Sequence, residues 1–321
     1  MERRPALALI AAGVAGPASV ARAQQPYPSA PIRIVTPTPV GVGSDALGRL
    51  YAIHVGRLLK AQAFIENRPG ASGILGTDAV AKAAPDGYTL LFSTSLPFTT
   101  VPFLFARLPY DARNDLVPVV QLFRGGSFIV ATNTFPGKTL AELAALAKRE
   151  PNRISYGSYG PGSTAHLGME LVQDAAGIQL IHVPYKQSAM TDLIGGQISI
   201  GFEPPMSALP NIKAGKVRAL AYTGSQRSPA MPEVPTIAET YPGLEVSTWV
   251  GIWAPAGTPE AIRRQLRDAF QAATQEAELQ KALADVGSEP MRTSEVQMAA
   301  EIARESEVMS KLIKAKNITV N

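Results

Sequence analysis

Two glycine- and serine-rich segments contain the residues best suited to bind a ligand. The first covers residues 37–48 and has a single charged side chain, that of Asp45. The second covers residues 158–164 and has no charged side chain. Each segment follows a short apolar run and precedes a helical pattern, so each predicts a helix N-terminus, where unpaired N–H groups and about half a positive charge attract an anion. The two segments therefore favour anion binding by backbone and hydroxyl groups, and they offer no catalyst.

The first segment also has interpretations that involve no ligand. A strand, a glycine turn and a helix form the commonest unit of α/β proteins. The segment is not a nucleotide-binding fingerprint, because it lacks the third glycine of G-x-G-x-x-G and the lysine of a P-loop. An acidic residue in the first helical turn stabilises a helix on its own. Ligand contact and a purely structural role therefore both stay open for Asp45.

The histidines do not form an obvious metal or catalytic set. His166 lies near the start of the second helical pattern, and Glu170 follows four residues later, a spacing that permits metal binding or acid–base chemistry. His54 and His182 lie in a helix face and a strand without ligand spacing. We expect His166 to pack or to donate a hydrogen bond at the edge of a cleft. We predict no catalytic residue, no metal site and no cofactor.

Four further residues lie in turns or at strand ends where a ligand could meet them. Ser72 belongs to a second glycine turn, and Ser95 closes a predicted strand with a hydroxyl that faces a ligand or caps a helix. Tyr185 follows another predicted strand. Glu203 also follows a strand, where it lines a cleft or is a solvated loop acid.

Residues 1–23 have the features of a signal peptide. Two arginines near the start precede a short apolar run, and Ala21-Arg22-Ala23 fits a cleavage site before Gln24. We therefore expect export to the periplasm with cleavage after about Ala23. The rest of the 321-residue chain is long enough for a large core or for two domains.

Charge and cysteine content exclude several classes of function. Without the predicted signal peptide the chain carries nearly equal numbers of basic and acidic side chains, and it has no basic cluster. This balance argues against binding to nucleic acid or to an anionic membrane surface. The chain has no cysteine, so disulfides and thiol catalysis are excluded and stability must come from packing.

Strand-like and helix-like segments alternate along the chain, which predicts an α/β fold. The first helix is expected to bury Leu47, Leu50, Tyr51 and Leu58 on one face. Residues 125–126, two glycines in a break between the apolar strands 117–123 and 128–132, are a candidate hinge. The expected N-caps of four helices are Ser44, Thr139, Ser163 or Thr164, and Thr258.

Seven motifs in order along the chain resemble the Bug family of periplasmic solute-binding proteins, which is related to tripartite tricarboxylate transporters. The match covers essentially everything after the signal peptide, and motifs in this order are highly specific. They are residues 31–45, ENRPGASG at 66–73, AAPDGYTLL at 83–91, YGSYGPGSTAHL at 156–167, HVPYK at 182–186, DLIGGQ at 192–197 and APAGTP at 254–259.

The resemblance implies a type II periplasmic-binding-protein fold, in which two α/β domains joined by two crossing segments close on a ligand. The crossings would lie near 122–127 and 245–249. Residues 24–124 and 247–321 would then form the first domain, and residues 125–246 the second.

The resemblance also implies a function in solute capture. We expect a monomer that binds a small organic carboxylate, such as a di- or tricarboxylate, an acidic amino acid or an aromatic acid. It would deliver this ligand to the membrane components of a tripartite tricarboxylate-type transporter. A sensor that reports the ligand to a signalling system is the alternative, and an enzyme acting on a carboxylate is a weaker one.

In the family, two loops hold the ligand carboxylate through backbone groups, hydroxyls and bridging waters. They match residues 39–45 and 158–164 here. The family usually has an aromatic residue before the proline pair of the first loop and a third consecutive glycine, whereas this chain has Thr38, Val40 and Val42, so its ligand is expected to differ. The expected ligand-binding residues are Thr38, Val40, Gly41, Val42, Gly43, Ser44, Asp45, Ser72, Ser95, Ser158, Tyr159, Gly160, Ser163, Thr164, His166, Tyr185 and Glu203.

Overall fold

Strands and helices alternate in the computed structural model of the protein, which describes residues 27–41 and 43–320. The predicted signal peptide and Val42 lie outside the described residues. In chain order the elements are β1 (Ile32–Thr36), α1 (Gly43–Leu59), β2 (Ala63–Asn67), a 3-10 turn (Ala71–Gly73), α2 (Ile74–Ala81), β3 (Thr89–Thr94), α3 (Leu96–Thr99), α4 (Val101–Leu104), β4 (Leu116–Gly126), β5 (Phe128–Thr132), α5 (Leu140–Arg149), β6 (Ser155–Ser158), α6 (Thr164–Ala176), β7 (Ile181–Pro184), α7 (Met190–Ile194), β8 (Ile200–Glu203), α8 (Pro205–Lys213), β9 (Val217–Tyr222), α9 (Ile237–Thr240), β10 (Ser247–Pro255), α10 (Glu260–Thr274), α11 (Ala277–Asp285), β11 (Ser288–Pro290) and α12 (Glu295–Ala315).

The described strands form two sheets. The first has six strands in the order β11-β4-β10-β3-β1-β2, and the second has five in the order β7-β6-β8-β5-β9. In the first sheet β1 runs parallel to β2 and β3, and in the second β6 runs parallel to β7 and β8. Strands β5 and β10 pair antiparallel with their neighbours, so each sheet is mixed. The predicted α/β class is confirmed.

Both faces of the first sheet are covered, and β1 shows how. Ile32 and Ile34 point into the core that includes Tyr51 and Phe270 from helices α1 and α10. Val35 points the other way, into a cluster with Trp253. Successive side chains of a strand point to opposite faces. Residues 32–35 of strand β1 are therefore apolar on both faces except at Arg33, which pairs with Glu66 on β2.

The chain passes between the two sheets at two adjacent places. Strand β4 of the first sheet ends at Gly126, and β5 of the second begins two residues later. The return crossing lies just before Ser247, which pairs with Gly126 at the start of β10. The prediction that the strand is interrupted at residues 125–126 is wrong, because β4 continues through both glycines. We keep the predicted domain limits, 24–124, 125–246 and 247–321, as a proposal.

The helix starts show where local sequence signals hold and where they do not. Thr139 and Ser163 cap α5 and α6 as predicted, each accepting a hydrogen bond from the backbone N–H three residues on. Helix α1 begins at Gly43, so Ser44 lies inside it and is not its N-cap. Thr258 does not cap α10 either, since its hydroxyl donates to the Pro255 carbonyl at 2.7 Å and the helix begins at Glu260.

The predicted apolar face of α1 is wrong at its far end. Leu47 and Tyr51 are buried, whereas Leu58 is 37% exposed. The face that packs on the core continues through Val55 and Leu59, so Leu58 lies to one side of it. Among the described residues, no helix has the length and apolarity needed to cross a bilayer.

Candidate functional site

Sheet topology brings the sequence-predicted residues to corresponding edges of the two sheets. Strands β1 and β3 run parallel, so the residues that follow Thr36 and Thr94 lie at one edge of the first sheet. Strands β6, β7 and β8 are also parallel, so the residues that end or follow them share an edge of the second sheet. The carboxyl edge of a parallel sheet is the usual place for a ligand in α/β proteins.

Hydrogen bonds to Asp45 and Asn67 hold the described part of the first loop, residues 37–41. The backbone N–H of Gly41 donates to Asp45 Oδ2 at 3.0 Å, and Arg49 Nε donates to the same oxygen at 3.1 Å. Asn67 Nδ2 donates to Asp45 Oδ1 at 2.8 Å and to the Thr38 carbonyl at 3.0 Å. The Asp45 carboxylate is 3% exposed and already accepts from three groups. Its contacts therefore fix the path of the loop.

The environment of Asp45 keeps this carboxylate ionised. Burial alone raises the pKa of Asp45, but the hydrogen bonds from Gly41, Asn67 and Arg49 outweigh it and hold the pKa below its usual value. An anionic side chain does not attract a ligand carboxylate. The hydrogen-bond donors that face outward from this loop must therefore be backbone N–H and hydroxyl groups.

The remaining first-loop residues differ in exposure. Val40 is 71% exposed, and Gly41 beside it has a φ of 87°, a conformation that favours glycine. The Thr38 hydroxyl lies 2.9 Å from that of Thr36, and Ser44 is half-buried. The turn that carries the exposed Ser72 packs beside this loop, since Gly73 and Gly76 approach Pro37 closely. The predicted ligand-binding residues that lie near this edge of the first sheet are Thr38, Val40, Gly41, Gly43, Ser44, Asp45 and Ser72.

The second loop, residues 159–163, is closed by its own hydroxyls. Ser163 Oγ donates to the Gly160 carbonyl at 2.7 Å and also accepts from the His166 N–H at the start of α6. The Gly160 N–H donates to Ser158 Oγ at 3.1 Å. No charged side chain belongs to this loop. It resembles the first loop in ending at a helix N-terminus.

His166 and His182 stack beneath the second loop. Their rings lie 4.0 Å apart and 7° from parallel, and Ser158 Oγ lies 2.6 Å from His182 Nε2. The Gly162 N–H donates to His166 Nδ1 at 3.1 Å. His166 is buried and this nitrogen accepts a hydrogen bond, so the expectation that His166 packs is met, whereas donation at a cleft edge is not observed.

The histidine stack disfavours charge. Burial lowers the pKa of His166 despite the opposing field of Glu170. Burial and then the neighbouring His166 lower the pKa of His182 to about 4. Among the described residues, no group of three His, Asp or Glu side chains could hold a metal ion. The stack is therefore a neutral support for the second loop.

Sequence reasoning overlooked His182 because its spacing from other histidines carried no signal. It reaches the loop only through the parallel pairing of β6 with β7, which places His182 opposite Tyr156. The ring of Tyr156 packs on His182 at 5.0 Å. A β-strand register of this kind is not legible in the spacing of the residues.

Tyr159, Ser188 and Glu203 meet at the same edge of the second sheet. The Tyr159 hydroxyl and Ser188 Oγ both donate to Glu203 Oε2, at 2.8 and 2.9 Å. Glu203 is buried within β8 and is not a solvated loop acid. Ser188 was not predicted. The Tyr185 hydroxyl instead donates to Asp192 at 2.7 Å, and burial, followed by that carboxylate, raises the pKa of Tyr185 to about 12.

Ser95 follows β3 of the first sheet and Thr164 begins α6 beside the second sheet, yet the two residues lie close together. Both line one cavity of about 220 Å³ between α6, α12 and residues 243–249, which lead into β10. The Ser95 hydroxyl donates to Glu305 Oε1 at 3.0 Å and makes no helix-capping bond. The ligand-binding role of the predicted residues stays a prediction.

Comparison with known proteins identifies the family. The family model described as tripartite tricarboxylate transporter family receptor matches residues 48–318. BugT of Bordetella pertussis is 36% identical over 298 residues, which cover 92% of this chain and 90% of that protein. The structure of R. palustris Rpa4515 with adipate is 30% identical with a TM-score of 0.79, covering 92% of this chain and 100% of that one. MatC (Rpa3494) from Rhodopseudomonas palustris with bound malate is 29% identical with a TM-score of 0.75, covering 89% and 100%. The chain therefore belongs to the tripartite tricarboxylate transporter receptor family, a family of substrate-binding receptors and not of enzymes, as the motifs predicted.

Proposed function

We propose that this protein captures a small dicarboxylate outside the cytoplasm and delivers it to the membrane components of a tripartite tricarboxylate-type transporter. The observation that carries the proposal is the pair of loops without cationic side chains, one at the edge of each sheet. Each loop leads into a helix, α1 of 17 residues or α6 of 13 residues. The N-terminus of such a helix favours a negative charge by about 0.3–1 kcal/mol.

A ligand with two acid groups matches two such loops, because each loop can take one acid group. Two structural neighbours support this choice of class. Rpa4515 is described with adipate and MatC with malate, and both molecules are dicarboxylates. The absence of a cation from either loop also suits a carrier, since hydrogen bonds from neutral donors allow the ligand to be released.

The division of the loops between two sheets gives a mechanism of capture. Both loops contact one ligand only when the two domains approach each other about the crossings near Ser127 and Ser247. The predicted domain limits and the predicted export to the periplasm are part of this proposal. So is the set of ligand-binding residues at the two loops, for which we take the backbone N–H groups and the hydroxyls of Thr38, Ser44 and Thr164 as the principal donors.

A ligand panel tests the proposal on the chain from Gln24 onward. We expect adipate or malate to raise the melting temperature and glucose to leave it unchanged, because a ligand at about a hundred times its Kd adds roughly 2.7 kcal/mol to the free energy of unfolding. Isothermal titration calorimetry then gives the Kd and a stoichiometry of one. A panel in which neutral sugars stabilise the protein and no carboxylate does would refute anion binding.

A pair of cap variants tests whether the second loop takes part. Ser163→Ala and Ser294→Ala each remove a serine that caps a helix, α6 or α12. Both are expected to lower the free energy of unfolding by about 1 kcal/mol. Only Ser163→Ala should also weaken dicarboxylate binding, since Ser163 belongs to the loop. Equal affinities in the two variants would move the ligand away from the second loop.

A further inference from the structure

The cavity of about 220 Å³ that joins Ser95 to Thr164 has walls from both halves of the molecule. Helix α6, which packs on the second sheet, contributes its first residue, Thr164, and α12 contributes another wall. The two helices pack together, since Leu167 of α6 lies in one buried cluster with Leu312 and Ile313 of α12. The start of α6, where the second loop ends, therefore shares a cavity with one face of α12.

That face of α12 carries both acidic and basic side chains. Glu301, Arg304, Glu305 and Val308 line the cavity at spacings of three and four residues, so they follow one stripe along the helix. Arg304 is the only basic residue among the described residues that line the cavity. A carboxylate that enters the cavity therefore meets one cation.

The guanidinium of Arg304 is not committed to its neighbour Glu301. The Glu301 carboxylate accepts a hydrogen bond from Gln121 at 2.7 Å and forms an ion pair with Arg124. Arg304 lies 3.7 Å from the same carboxylate, which is too long for a hydrogen bond, and its side chain is 73% exposed. Among the described residues this is the only ion pair of Arg304. An exposed pair of this kind contributes little, so Arg304 remains available to another carboxylate.

The other two acidic residues of the cavity are held within the protein. Glu305 accepts from the Ser95 hydroxyl at 3.0 Å and from the Trp249 indole N–H at 2.9 Å. Glu245 pairs with Arg124 at 3.5 Å. These fixed carboxylates repel an incoming acid group, whereas the guanidinium on α12 attracts it. The acid group is therefore most stable next to the guanidinium.

The position and volume of the cavity suit one end of a dicarboxylate. An acid group bound at the N-terminus of α6 borders the cavity, because Thr164 is the first residue of that helix and lines the cavity. A cavity of about 150 Å³ holds a molecule of the size of benzene, so a cavity of about 220 Å³ admits an acid group with the adjoining carbon atoms.

We propose that Arg304 binds the acid group of the dicarboxylate that the second loop takes, and that it selects ligands charged at this end. This inference rests on the proposed function, to which it adds a cationic residue outside both loops. A guanidinium donates two parallel hydrogen bonds to one carboxylate, so it distinguishes an acid from an ester or amide of similar shape. Because the Arg304 side chain is exposed, water screens the ion pair, which keeps the contact compatible with release of the ligand.

The variants Arg304→Gln and Lys311→Gln test this role. Lys311 is the matched control, because it lies on α12, its side chain is 75% exposed and it does not line the cavity. By calorimetry we expect the Kd for malate or adipate to rise about tenfold in Arg304→Gln, the loss expected for a hydrogen bond to a charged group, and to stay unchanged in Lys311→Gln. Arg304→Lys should give an intermediate Kd, since lysine keeps the charge without the planar fork.

Salt dependence separates direct contact from an indirect effect on α12. The wild-type Kd should rise between about 20 mM and about 500 mM NaCl, and the rise should be smaller in Arg304→Gln because the screened ion pair is missing. Parallel salt dependences, or equal Kd values for Arg304→Gln and the wild type, would overturn the role of Arg304 and leave the proposed function standing. A wild-type protein that binds no carboxylate would refute both.

Discussion

At the scale of single residues, the carboxylate of Asp45 binds groups within the protein. It accepts hydrogen bonds from the backbone of Gly41 and from Arg49 and Asn67, and Asn67 also holds the Thr38 carbonyl. One buried anion thus ties the first loop to α1 and to the end of β2. Because these hydrogen bonds fix the loop backbone, the exposed donor groups of the loop are also fixed in position.

Asp45→Asn is expected to weaken dicarboxylate binding without contacting the ligand. The new amide N–H₂ would face donor groups, and a buried polar group that loses its partner costs about 1–3 kcal/mol. We expect the Kd to rise about tenfold or more, measured by calorimetry, together with a lower melting temperature. Asp86→Asn is the control, since Asp86 accepts from the Tyr88 N–H in an exposed turn before β3, at the other edge of the sheet. An unaltered Kd in Asp45→Asn would contradict this role.

His182 is expected to make stability depend on pH. The folded protein holds the pKa of His182 at about 4, below its ordinary value of 6.5, so the unfolded chain binds this proton more readily. The free energy of unfolding should therefore fall as the pH is lowered from about 6.5 to about 4, and the full stabilisation should be present above 6.5. Urea unfolding across this range measures the slope. His182→Gln should flatten it, and parallel curves for the two proteins would rule out His182 as the source.

At the scale of elements, the passage from β4 to β5 is packed tightly around Gly126. A Cβ atom there would lie 2.3 Å from the backbone nitrogen of Gly224. At Gly125 the nearest atom would be the Ser288 hydroxyl at 2.9 Å, which belongs to a small side chain. The Gly126 N–H also donates to the Tyr222 hydroxyl at 2.7 Å. The backbone of the crossing therefore packs more tightly against its neighbours at Gly126 than at Gly125.

Gly126→Ala is expected to destabilise the protein more than Gly125→Ala. Backbone must move to accept the new methyl group at Gly126, whereas a side-chain rotation accommodates it at Gly125. We expect a loss of about 2 kcal/mol or more for the first variant and less than half of that for the second. Urea unfolding with a common slope measures both. Equal losses would show that the crossing is not held by this contact.

At the scale of the whole molecule, Arg124 joins the two crossings to α12. Its guanidinium pairs with Glu245 before β10 and with Glu301 of α12, and all three side chains are largely withdrawn from solvent. Removing the cation leaves two carboxylates facing each other. This group therefore links strand β4 to the segment before β10 and to α12.

Arg124→Gln is expected to lower the free energy of unfolding by about 1–3 kcal/mol, because partly buried carboxylates lose their counter-charge. Arg304→Gln is the control. Arg304 lies 3.7 Å from the same Glu301, but its side chain is 73% exposed, so its loss should cost less than about 1 kcal/mol. Chemical denaturation compares the two variants. A larger loss for Arg304→Gln would contradict the assignment of Arg124 as the link.

The sequence alone determined the α/β class, the cap at Thr139 and the family, and it narrowed the cap of α6 to Ser163 or Thr164. These features depend on local periodicity, on motifs in order and on side chains that bond within three residues. It did not determine the start of α1 at Gly43 or the exposure of Leu58, since both depend on where the helix meets the rest of the protein. Local sequence signals therefore predicted which helices and strands exist more reliably than where each one begins and ends.

Only the tertiary structure decided which side chains meet. The stack of His166 on His182 depends on the register of β6 with β7, and the meeting of Tyr159 with Ser188 at Glu203 depends on the neighbouring strand β8. The cavity joining Ser95 to Thr164 requires α12 to pack across both halves of the molecule. Contacts between residues far apart in the chain follow from the pairing of strands and the packing of helices, and no spacing within the sequence encodes them.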